Sequence, residues 1–566
     1  MKKRNRPPET KPQIKSDALV WWPSLWWPVL AAIAALLVVF EIYGPALNGS
    51  FVLDDLYLPF VANPAQSSLA VIRSLRPLLL LSFWADNRLA GGSDPFLFHA
   101  TNVLFHFFAA VFATLIAAKL LEWAGVTGKL RAALSVFSGA LFLLHPVQTE
   151  SVAYVASRSE NLSVMWYYAA FAVFLYRPNA RMTWLRALAI VALFGAAMST
   201  KEHALTFPIL LLLTDYFWNR GGIRANGAVY ALLAVAGVAG GFLVWGALHG
   251  ADTAGFGVKG LPPATYFFTQ CRVIWTYIRM FFLPFGQNLD PDVALSDNLL
   301  AHGAIVGLAA LIALAAAAWI YRRRYPLAAF GVFMFLLLLA PTSSFIPIRD
   351  VQAEHRLYLP FLGLVLVCLE ALRRLPFSQA VWTGAIVLAA CCVLTYQRNE
   401  VWATSLDLWT DSVAKSPNKY RPRFQIAYAE YLDGKCGVAS QNFEAASHLG
   451  RVDIVLLTDW ALALDCAGRW QEAIEKLSQA ELFVNDAHVH TQLAMVYAKH
   501  NQMPAALAEL DQAQKLDASY EMIYVYRGNI DLIAGDRAGA QREFRRALTL
   551  NPANQAARDG LVQAAR

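Results

Sequence analysis

The sequence predicts an all-α protein in two parts: a polytopic membrane helix bundle of about eleven spans and then a soluble α-solenoid of about four repeats. The first observation behind this prediction is composition, since 57% of the 566 residues are hydrophobic and only 15% are charged. Soluble domains are roughly 45–50% apolar. The second is a series of long apolar runs that ends near residue 400, and the third is an alanine-rich repeat in the last quarter of the chain.

The apolar runs are each roughly 17–25 residues long, which is the length of a membrane-spanning helix. Basic clusters such as Arg322–Arg324 and Arg373–Arg374 fall on one side if the spans alternate, as the positive-inside rule requires. The basic segment 1–24 joins them, so we expect it to be cytoplasmic, and an odd span count puts the C-terminal repeats on the opposite side. The runs begin near Leu25, Phe96, Arg131, Leu162, Trp184, Ala204, Ala228, Ala301, Pro326, Leu357 and Ala380.

Two further stretches do not fit as spans. Residues 265–286 would break the alternation of sides, and they carry Gln270 and Arg279 among apolar residues at near-helical spacing. This pattern predicts a re-entrant or interfacial amphipathic helix. A similar helix is predicted around Arg73 and Arg76, where it would lie along the membrane face beside the first outer loop.

The C-terminal region, residues 420–566, repeats with a period of about 34 residues. Small residues let two antiparallel helices approach, and large apolar residues fill the gap between them, which is the pattern of tetratricopeptide repeats. An alanine-rich helical bundle without superhelical order is the alternative. By analogy with other solenoids, the concave surface would bind peptides or proteins. The positions that carry the pattern are Ala427, Ala461, Ala494 and Gly528, then Ala439, Ala473, Ala506 and Ala540, then Phe443, Leu477, Leu510 and Phe544, and last Ala446, Ala480, Ala513 and Ala547.

A linker, residues 399–419, joins the membrane domain, residues 25–398, to the repeats. Its apolar residues, among them Leu408 and Trp409, recur at roughly helical spacing, and it has little of the Gly/Ser excess of a flexible tether. We therefore predict a helix that holds the repeats at a fixed height over the outer face. A repeat-capping helix without a positional role is the alternative.

The cysteines and the net charge exclude two classes of function. The six cysteines show no C-x-x-C pair or Cys/His metal spacing, so no metal site is expected. Cys436 and Cys466 would lie in an oxidising compartment under the predicted topology, where stacked repeats can bring them together as a disulfide. The net charge of +7 lies in short clusters between apolar runs rather than on one stripe, so no nucleic-acid partner is expected.

Charged residues on the predicted outer side are few but grouped. Asp54 and Asp55 follow the first apolar run, and carboxylates near a membrane cavity are functional candidates by default. A solvated turn or a helix cap is the alternative. Cations on the same side are singly typical of snorkelling or capping, but together they fit a lipid-linked phosphate, because Arg offers a fork of donors and Lys a point charge. These cations are Arg158, Lys201, His203, Arg349, His355 and Arg356.

Six blocks in order resemble a known family: "FVLDD", "RPLLLLSF" with "FHATNVLFH", "LLHPVQTESVAYVASRSENLS", "MSTKEHALTFPILLLLTDYF", "PTSSFIPIRDVQAEHRLYLP" and the repeats. This order is similar to that of the transmembrane and tetratricopeptide-repeat O-mannosyltransferases, of the GT-C glycosyltransferase fold, and their bacterial relatives. The resemblance implies inverting transfer of one sugar from a polyprenyl-phosphate donor to a hydroxyl on the extracytoplasmic side. It implies no metal or other cofactor, and a protein acceptor engaged by the repeats.

The resemblance also implies roles for individual residues. Asp54 or Asp55 would be the general base that takes the acceptor proton. The Asp-Asp pair, in place of Asp-x-Asp, argues against the metal-dependent relatives that use pyrophosphate donors. Lys201 and Arg356 are the leading candidates to stabilise the leaving phosphate.

One departure from the family pattern concerns that arginine. An acidic residue directly followed by arginine is expected, but a histidine intervenes at Glu354, His355 and Arg356, so the register of Arg356 is open. Further residues in the motifs would contact the donor sugar or phosphate, with helix capping and loop packing as the alternative. They are His145, Glu150, Arg158, Glu160, Glu202 and His203.

Two other functions remain open at this point. In the first, the protein is a membrane-tethered interaction scaffold whose helix bundle is a non-catalytic anchor. In the second, the chain is a glycosyltransferase of the same chemistry that modifies envelope glycan or lipopolysaccharide instead of protein. Short basic loops favour a bacterial inner membrane with periplasmic repeats. A eukaryotic host would place the chain in the endoplasmic reticulum.

Overall fold

The computed structural model describes residues 26–62, 74–92, 94–177, 182–218, 225–250 and 253–566. Apart from an isolated bridge between Ala254 and Ile348, these residues form helices and loops without a strand, so the all-α prediction is confirmed. The N-terminal segment 1–24 and Arg73 lie outside the described residues. The helices of the membrane part are α1 (Trp26–Ile42), α2 (Pro59–Ala62), α3 (Pro77–Ala90), α4 (Pro95–Trp123), α5 (Gly128–Leu144), α6 (Thr149–Ala153), α7 (Arg158–Leu175), α8 (Trp184–Met198), α9 (Phe207–Trp218), α10 (Gly227–Gly250), α11 (Pro263–Phe282), α12 (Ala304–Ile320), α13 (Pro326–Leu339), α14 (Phe361–Leu372) and α15 (Phe377–Val401).

Three helical segments of the described chain are long and apolar enough to cross a membrane: α4, α15, and α12 together with its preceding turn. A fourth is possible if α5 and the bent segment after it, at 48°, form one span. These segments and the apolar composition place the chain in a membrane. The predicted count of eleven spans is not confirmed, because helices such as α14 have only 12 residues, about 18 Å against a hydrocarbon core of about 30 Å.

The shortening has a local cause at two of the predicted spans. Where a continuous run was expected from Ala204, the chain first makes a 3₁₀ turn, Glu202–Thr206. Where one was expected from Leu357, the turn Glu354–Leu357 and then Pro360 precede α14. The "STKEH" motif therefore folds as a turn after α8, and the "AEHR" motif folds as a turn before α14. The residues of both turns are available to a site.

The bundle is closely packed around α4, α5, α7 and α14. His106 of α4 lies 2.7 Å from the Tyr358 hydroxyl, which donates to Asn161 of α7 at 2.9 Å, so a polar network crosses the core. Gly331 and Gly363 allow α13 and α14 to touch backbone to backbone, since a Cβ on Gly331 would lie 2.3 Å from the Gly363 carbonyl oxygen.

The amphipathic stretch at 265–286 is a helix, α11, as predicted. Gln270 is buried and donates to the Val351 carbonyl at 2.7 Å, while Arg279 reaches the Phe285 carbonyl at 2.9 Å. The helix therefore supports the late loop that carries the "AEHR" motif.

The repeat pattern is confirmed helix by helix. The small and large positions are buried, as Ala427, Ala439 and Phe443 are in the first pair, and each helix packs on its neighbours in sequence. Gly528 is small for a reason, because a Cβ there would lie 2.8 Å from the Phe544 ring. The pairs are α17 (Tyr420–Leu432) with α18 (Cys436–Leu449), α19 (Ile454–Cys466) with α20 (Trp470–Phe483), α21 (Ala487–Lys499) with α22 (Met503–Leu516), and α23 (Met522–Ala534) with α24 (Arg537–Leu550), followed by α25 (Gln555–Ala565).

Cys436 and Cys466 form a disulfide, with Cα atoms 5.7 Å apart. The bond links the start of α18 to the end of α19, so it crosses from the first repeat to the second. Both cysteines are in the solenoid, so the pairing that the sequence left open is present in the structure.

The linker is helical, as predicted. It forms α16 (Ser405–Lys415), whose first turn is capped by Thr404 accepting from the Asp407 amide at 3.1 Å. Trp409 of this helix is buried against Ile426 and Ala429 of the first repeat.

A loop of the membrane part holds the start of the repeats. Asp290 accepts from Lys419 at 2.6 Å and from Arg421 at 2.8 Å, and Arg421 also pairs with Asp350. Asn288 donates to the Ser416 hydroxyl at 2.8 Å. The repeats are thus docked on the bundle by ion pairs and hydrogen bonds rather than tethered to it.

Candidate functional site

The two aspartates after α1 lie in a 3₁₀ turn, Leu53–Tyr57. Asp55 is buried, and both of its carboxylate oxygens accept backbone amides: that of Val52 at 3.1 Å and that of Ala156 at 2.6 Å. Burial outweighs these donors and raises the pKa of Asp55 to about 8. Asp55 therefore staples its own turn to the loop that precedes α7.

Asp54 is exposed, in contrast to its neighbour. Its amide donates to the Tyr154 hydroxyl at 3.0 Å. The Tyr154 hydroxyl in turn donates a hydrogen bond to the Asp54 carboxylate. Burial and then the two aspartates raise the pKa of Tyr154 far above its usual range, so the phenol stays neutral and acts as a donor. The Asp54 side chain is the one carboxylate of the pair that an external group can reach.

Arg158 lies behind the turn as an internal ion pair. It is fully buried, pairs with Asp86 at 2.6 Å, and donates to Asn102 and to the Phe98 carbonyl at 2.7 Å each. It is also attracted electrostatically by Asp55. Its donors are used within the protein, and they join α3, α4 and the start of α7 around the turn.

A second cluster begins two residues further along α7. Glu160 pairs with Lys201 at 2.5 Å and with His203 at 3.0 Å, and it also interacts electrostatically with His355. Lys201 keeps 17% of its side chain exposed, whereas Glu160 keeps 2%. The cluster therefore has a buried carboxylate and a cationic outer side.

Glu202 extends this cluster toward the first outer loop. It accepts from Arg76 at 2.8 Å on both oxygens, and the pairing lowers the pKa of Glu202 against the effect of burial. The helix that was predicted around Arg76, beside the first outer loop, begins at Pro77 as α3. Arg76, directly before it, reaches the "STKEH" turn through Glu202.

The late loop meets the same region through Glu150. His355 Nδ1 lies 2.5 Å from one Glu150 oxygen, and the Glu354 amide donates to the other at 3.0 Å. The Glu354 carboxylate accepts from the Asn288 amide at 2.6 Å and from Gln287 at 2.9 Å. Burial raises its pKa to about 7.

Three predicted residues lie in other surroundings. Arg356 donates to Tyr266 at 3.1 Å and to backbone carbonyls of its own loop. The Arg349 amide donates to the Thr253 carbonyl at 2.9 Å. His145 is buried, with Nε2 2.9 Å from the Phe281 carbonyl and its ring stacked on Phe281.

The structure thus brings together two groups that share the start of α7: Asp55 with Arg158, and Glu160 with Lys201, His203 and His355. Sequence reasoning missed Tyr154, Asp86 and Asn102, which lie about 50 to 100 residues from their partners in sequence and carry no local pattern. A pocket of about 360 Å³ between the ends of α1 and α15 is lined by Glu41, Gly44, Pro45, Tyr396, Glu400 and Ala403, none of them a predicted site residue.

Comparison with known proteins confirms the resemblance to the O-mannosyltransferases. The chain is 22% identical over 552 residues to human protein O-mannosyl-transferase TMTC3, covering 85% of this chain and 58% of that protein. It is 33% identical over 156 residues to Drosophila melanogaster protein O-mannosyl-transferase Tmtc2, covering 26% of this chain and 16% of the relative. The chain therefore spans only about half the length of the relatives that it matches along most of its own length.

Two other comparisons add little. No family model matches the chain. A tetratricopeptide-repeat protein from Thermus thermophilus is 20% identical and covers 31% of this chain and 94% of its own, but at a TM-score of 0.27 the likeness carries no conclusion.

Proposed function

We propose that the chain is a membrane glycosyltransferase that moves one sugar from a polyprenyl-phosphate donor to a hydroxyl of a protein, with inversion and without a metal. The observation that carries this proposal is the turn at Asp54. The turn there holds one exposed and one buried carboxylate. It is linked to the start of α7, where Glu160 pairs with Lys201. The similarity to proteins named protein O-mannosyl-transferases supports the reaction class.

Asp54 is the general base in this proposal. The acceptor oxygen attacks the anomeric carbon, its proton passes to the Asp54 carboxylate, and the bond between the anomeric carbon and the phosphate oxygen breaks. Asp55 is the positioning group, because both of its oxygens are occupied by backbone amides. Proton transfer to a well-placed base contributes roughly 10²–10⁴ in rate.

Lys201 and the two histidines beside Glu160 stabilise the departing polyprenyl phosphate. A phosphate needs charge compensation rather than a proton as it leaves, and a preorganised cation with neighbouring hydrogen-bonding groups supplies it. Lys201 keeps 17% of its side chain exposed, and Glu160 fixes its position. Arg356, Glu354, Arg349, Arg158, Glu202 and His145 serve by holding the loops that carry these groups.

The disulfide supports an outer location for the repeats. Disulfides persist in the periplasm and in the endoplasmic reticulum and are rare in the cytosol. With Cys436 and Cys466 bonded, the repeats and the membrane loop at Asp290 on which they are docked belong to the extracytoplasmic side, in a bacterial inner membrane by preference. The concave side of the repeats then presents an acceptor segment to the turn at high effective concentration.

A reconstituted transfer assay tests the proposal. The full chain in nanodiscs is incubated with polyprenyl-phosphate mannose, mannose being the sugar in the names of the aligned relatives, and with three acceptors: a folded secreted protein, a Ser/Thr-rich peptide and lipopolysaccharide. We expect glycosylated protein and peptide. Modification of lipopolysaccharide alone would leave the chemistry but overturn the acceptor, and no product with any acceptor would leave the scaffold function.

A further inference from the structure

Leu53, the residue directly before the aspartate pair, has a backbone conformation that leucine rarely adopts. Its φ is +48°, in the left-handed region that glycine and asparagine enter far more readily. Such a conformation persists only where the surroundings impose it, and it occurs preferentially at functional sites.

The surroundings that impose it come from four separate segments. The Leu53 side chain packs against a hydrophobic cluster that contains Tyr154, Trp402 and Leu408. It also packs against a second cluster, which contains Trp409 and Ile426. The two clusters that hold Leu53 therefore include residues of the loop before α7, the residue after α15, the linker helix α16 and the first repeat.

Two hydrogen bonds of the turn join Val52 to Asp55 and so enclose Leu53 and Asp54. The Val52 amide donates to the Asp55 carboxylate, and the Asp55 amide donates to the Val52 carbonyl at 3.0 Å. The backbone angle of Leu53 thus sets the direction in which Asp54 leaves the turn. If the side chain lost its packing, the residue would relax toward negative φ, and Asp54 would turn away from Tyr154.

We propose that Leu53 is a positioning residue, through which the linker helix and the first repeat fix the direction of the Asp54 carboxylate. The inference rests on the proposed function of Asp54. It gives the repeats a second role, since they are then part of the framework of the catalytic turn as well as a surface for the acceptor.

The test uses Leu53→Ala and Leu53→Gly, with Leu53→Met as the conservative variant and Trp409→Ala as a change on the linker side. His302→Gly is the matched control, because His302 also has a positive φ, +51°, but lies before α12. With a short peptide acceptor at saturation, we expect the Ala and Gly variants to lose about 10- to 100-fold in kcat, as for a slightly misplaced catalytic group.

The donor KM should stay within about twofold in the same variants, because the phosphate cluster is separate. Leu53→Met should restore most of kcat, Trp409→Ala should follow Leu53→Ala, and His302→Gly should match the wild type. Wild-type kcat in both Leu53→Ala and Leu53→Gly would overturn the inference.

Hydrogen exchange separates this inference from the proposed function. The amides of Asp55 and Ala156 are hydrogen-bonded within the turn, so Leu53→Ala should speed their exchange while leaving the repeats protected. If the wild type transfers no sugar, the proposed function fails, but unchanged exchange in Leu53→Ala would still refute the positioning role. Loss of protection throughout the chain would mean that the variant unfolds. Trp409→Ala, which removes packing from the linker side, then decides by the same measurement: faster exchange of the two amides supports the positioning role, and unchanged exchange refutes it.

Discussion

The clearest consequence of the turn geometry is that the two aspartates should respond differently to the same substitution. Asp54→Asn keeps the size of the side chain and the amide bond to Tyr154 but removes the carboxylate that takes the acceptor proton. We expect kcat to fall by roughly 10²–10⁴, or about 2.7–5.4 kcal/mol in the barrier, with donor binding unchanged.

Asp55→Asn acts through the fold instead. One of the two amides that the carboxylate accepts, from Val52 or from Ala156, would face an NH₂ group and stay unsatisfied. A buried donor left unpaired costs about 1–3 kcal/mol. We expect a lower melting temperature and a smaller, partial loss of rate.

Both variants are assayed by single-turnover transfer at saturating donor, with donor affinity measured separately by a fluorescent polyprenyl-phosphate competitor. Thermal melting in detergent reports the fold. A full loss in Asp55→Asn with a stable fold, together with an active Asp54→Asn, would reverse the assignment, and full activity in both would refute the catalytic role of the turn.

Three further predictions concern other parts of the chain. Burial raises the pKa of Asp55 to about 8, above roughly 3.9 in the unfolded chain. The contribution of Asp55 to stability should therefore be complete below about pH 4 and decline as the pH rises to about 8. Melting curves at several pH values should show this decline, and Asp55→Asn should lack it. Lys201→Ala should lower kcat about 10- to 100-fold by removing a charge-assisted contact to phosphate. Lys119→Ala, at an exposed ion pair, should leave kcat unchanged. Equal effects of the two substitutions on kcat would refute the phosphate role of Lys201. Replacing Cys436 and Cys466 together by serine should cost the repeats about 3.6 kcal/mol for a separation of 30 residues. The loss should appear as a lower denaturant midpoint of the repeat transition, and an unchanged midpoint would show that the bond does not stabilise the repeats.

The repeats were predictable from sequence because their determinants are local and periodic. Ala427, Ala439 and Phe443 take the same places in each unit, and a helix pair buries them against its immediate neighbours. The linker helix follows from the same short-range pattern, whereas the sequence left the pairing of Cys436 and Cys466 open. The span count was less predictable, because a run of apolar residues does not reveal that a turn such as Glu354–Leu357 interrupts it.

The candidate site was predictable in its residues but not in its pairings. Asp54, Lys201 and His355 stand out by charge within apolar surroundings. The pairings depend on contacts between distant segments. Glu160 interacts with Lys201 and His355, and Arg158 forms an ion pair with Asp86. No local pattern encodes such contacts, and the left-handed conformation of Leu53 is likewise imposed by packing from far along the chain.

The stereochemistry of the product tests the central claim most directly. A single displacement by an acceptor that Asp54 deprotonates must invert the anomeric centre of the transferred sugar. NMR of the glycosylated peptide, made by the purified chain from a polyprenyl-phosphate sugar of known configuration, should show the opposite anomer, with one polyprenyl phosphate released for each sugar transferred. Retention of the donor configuration would contradict the account, because it would require a covalent or otherwise double displacement for which Asp54 is not the base.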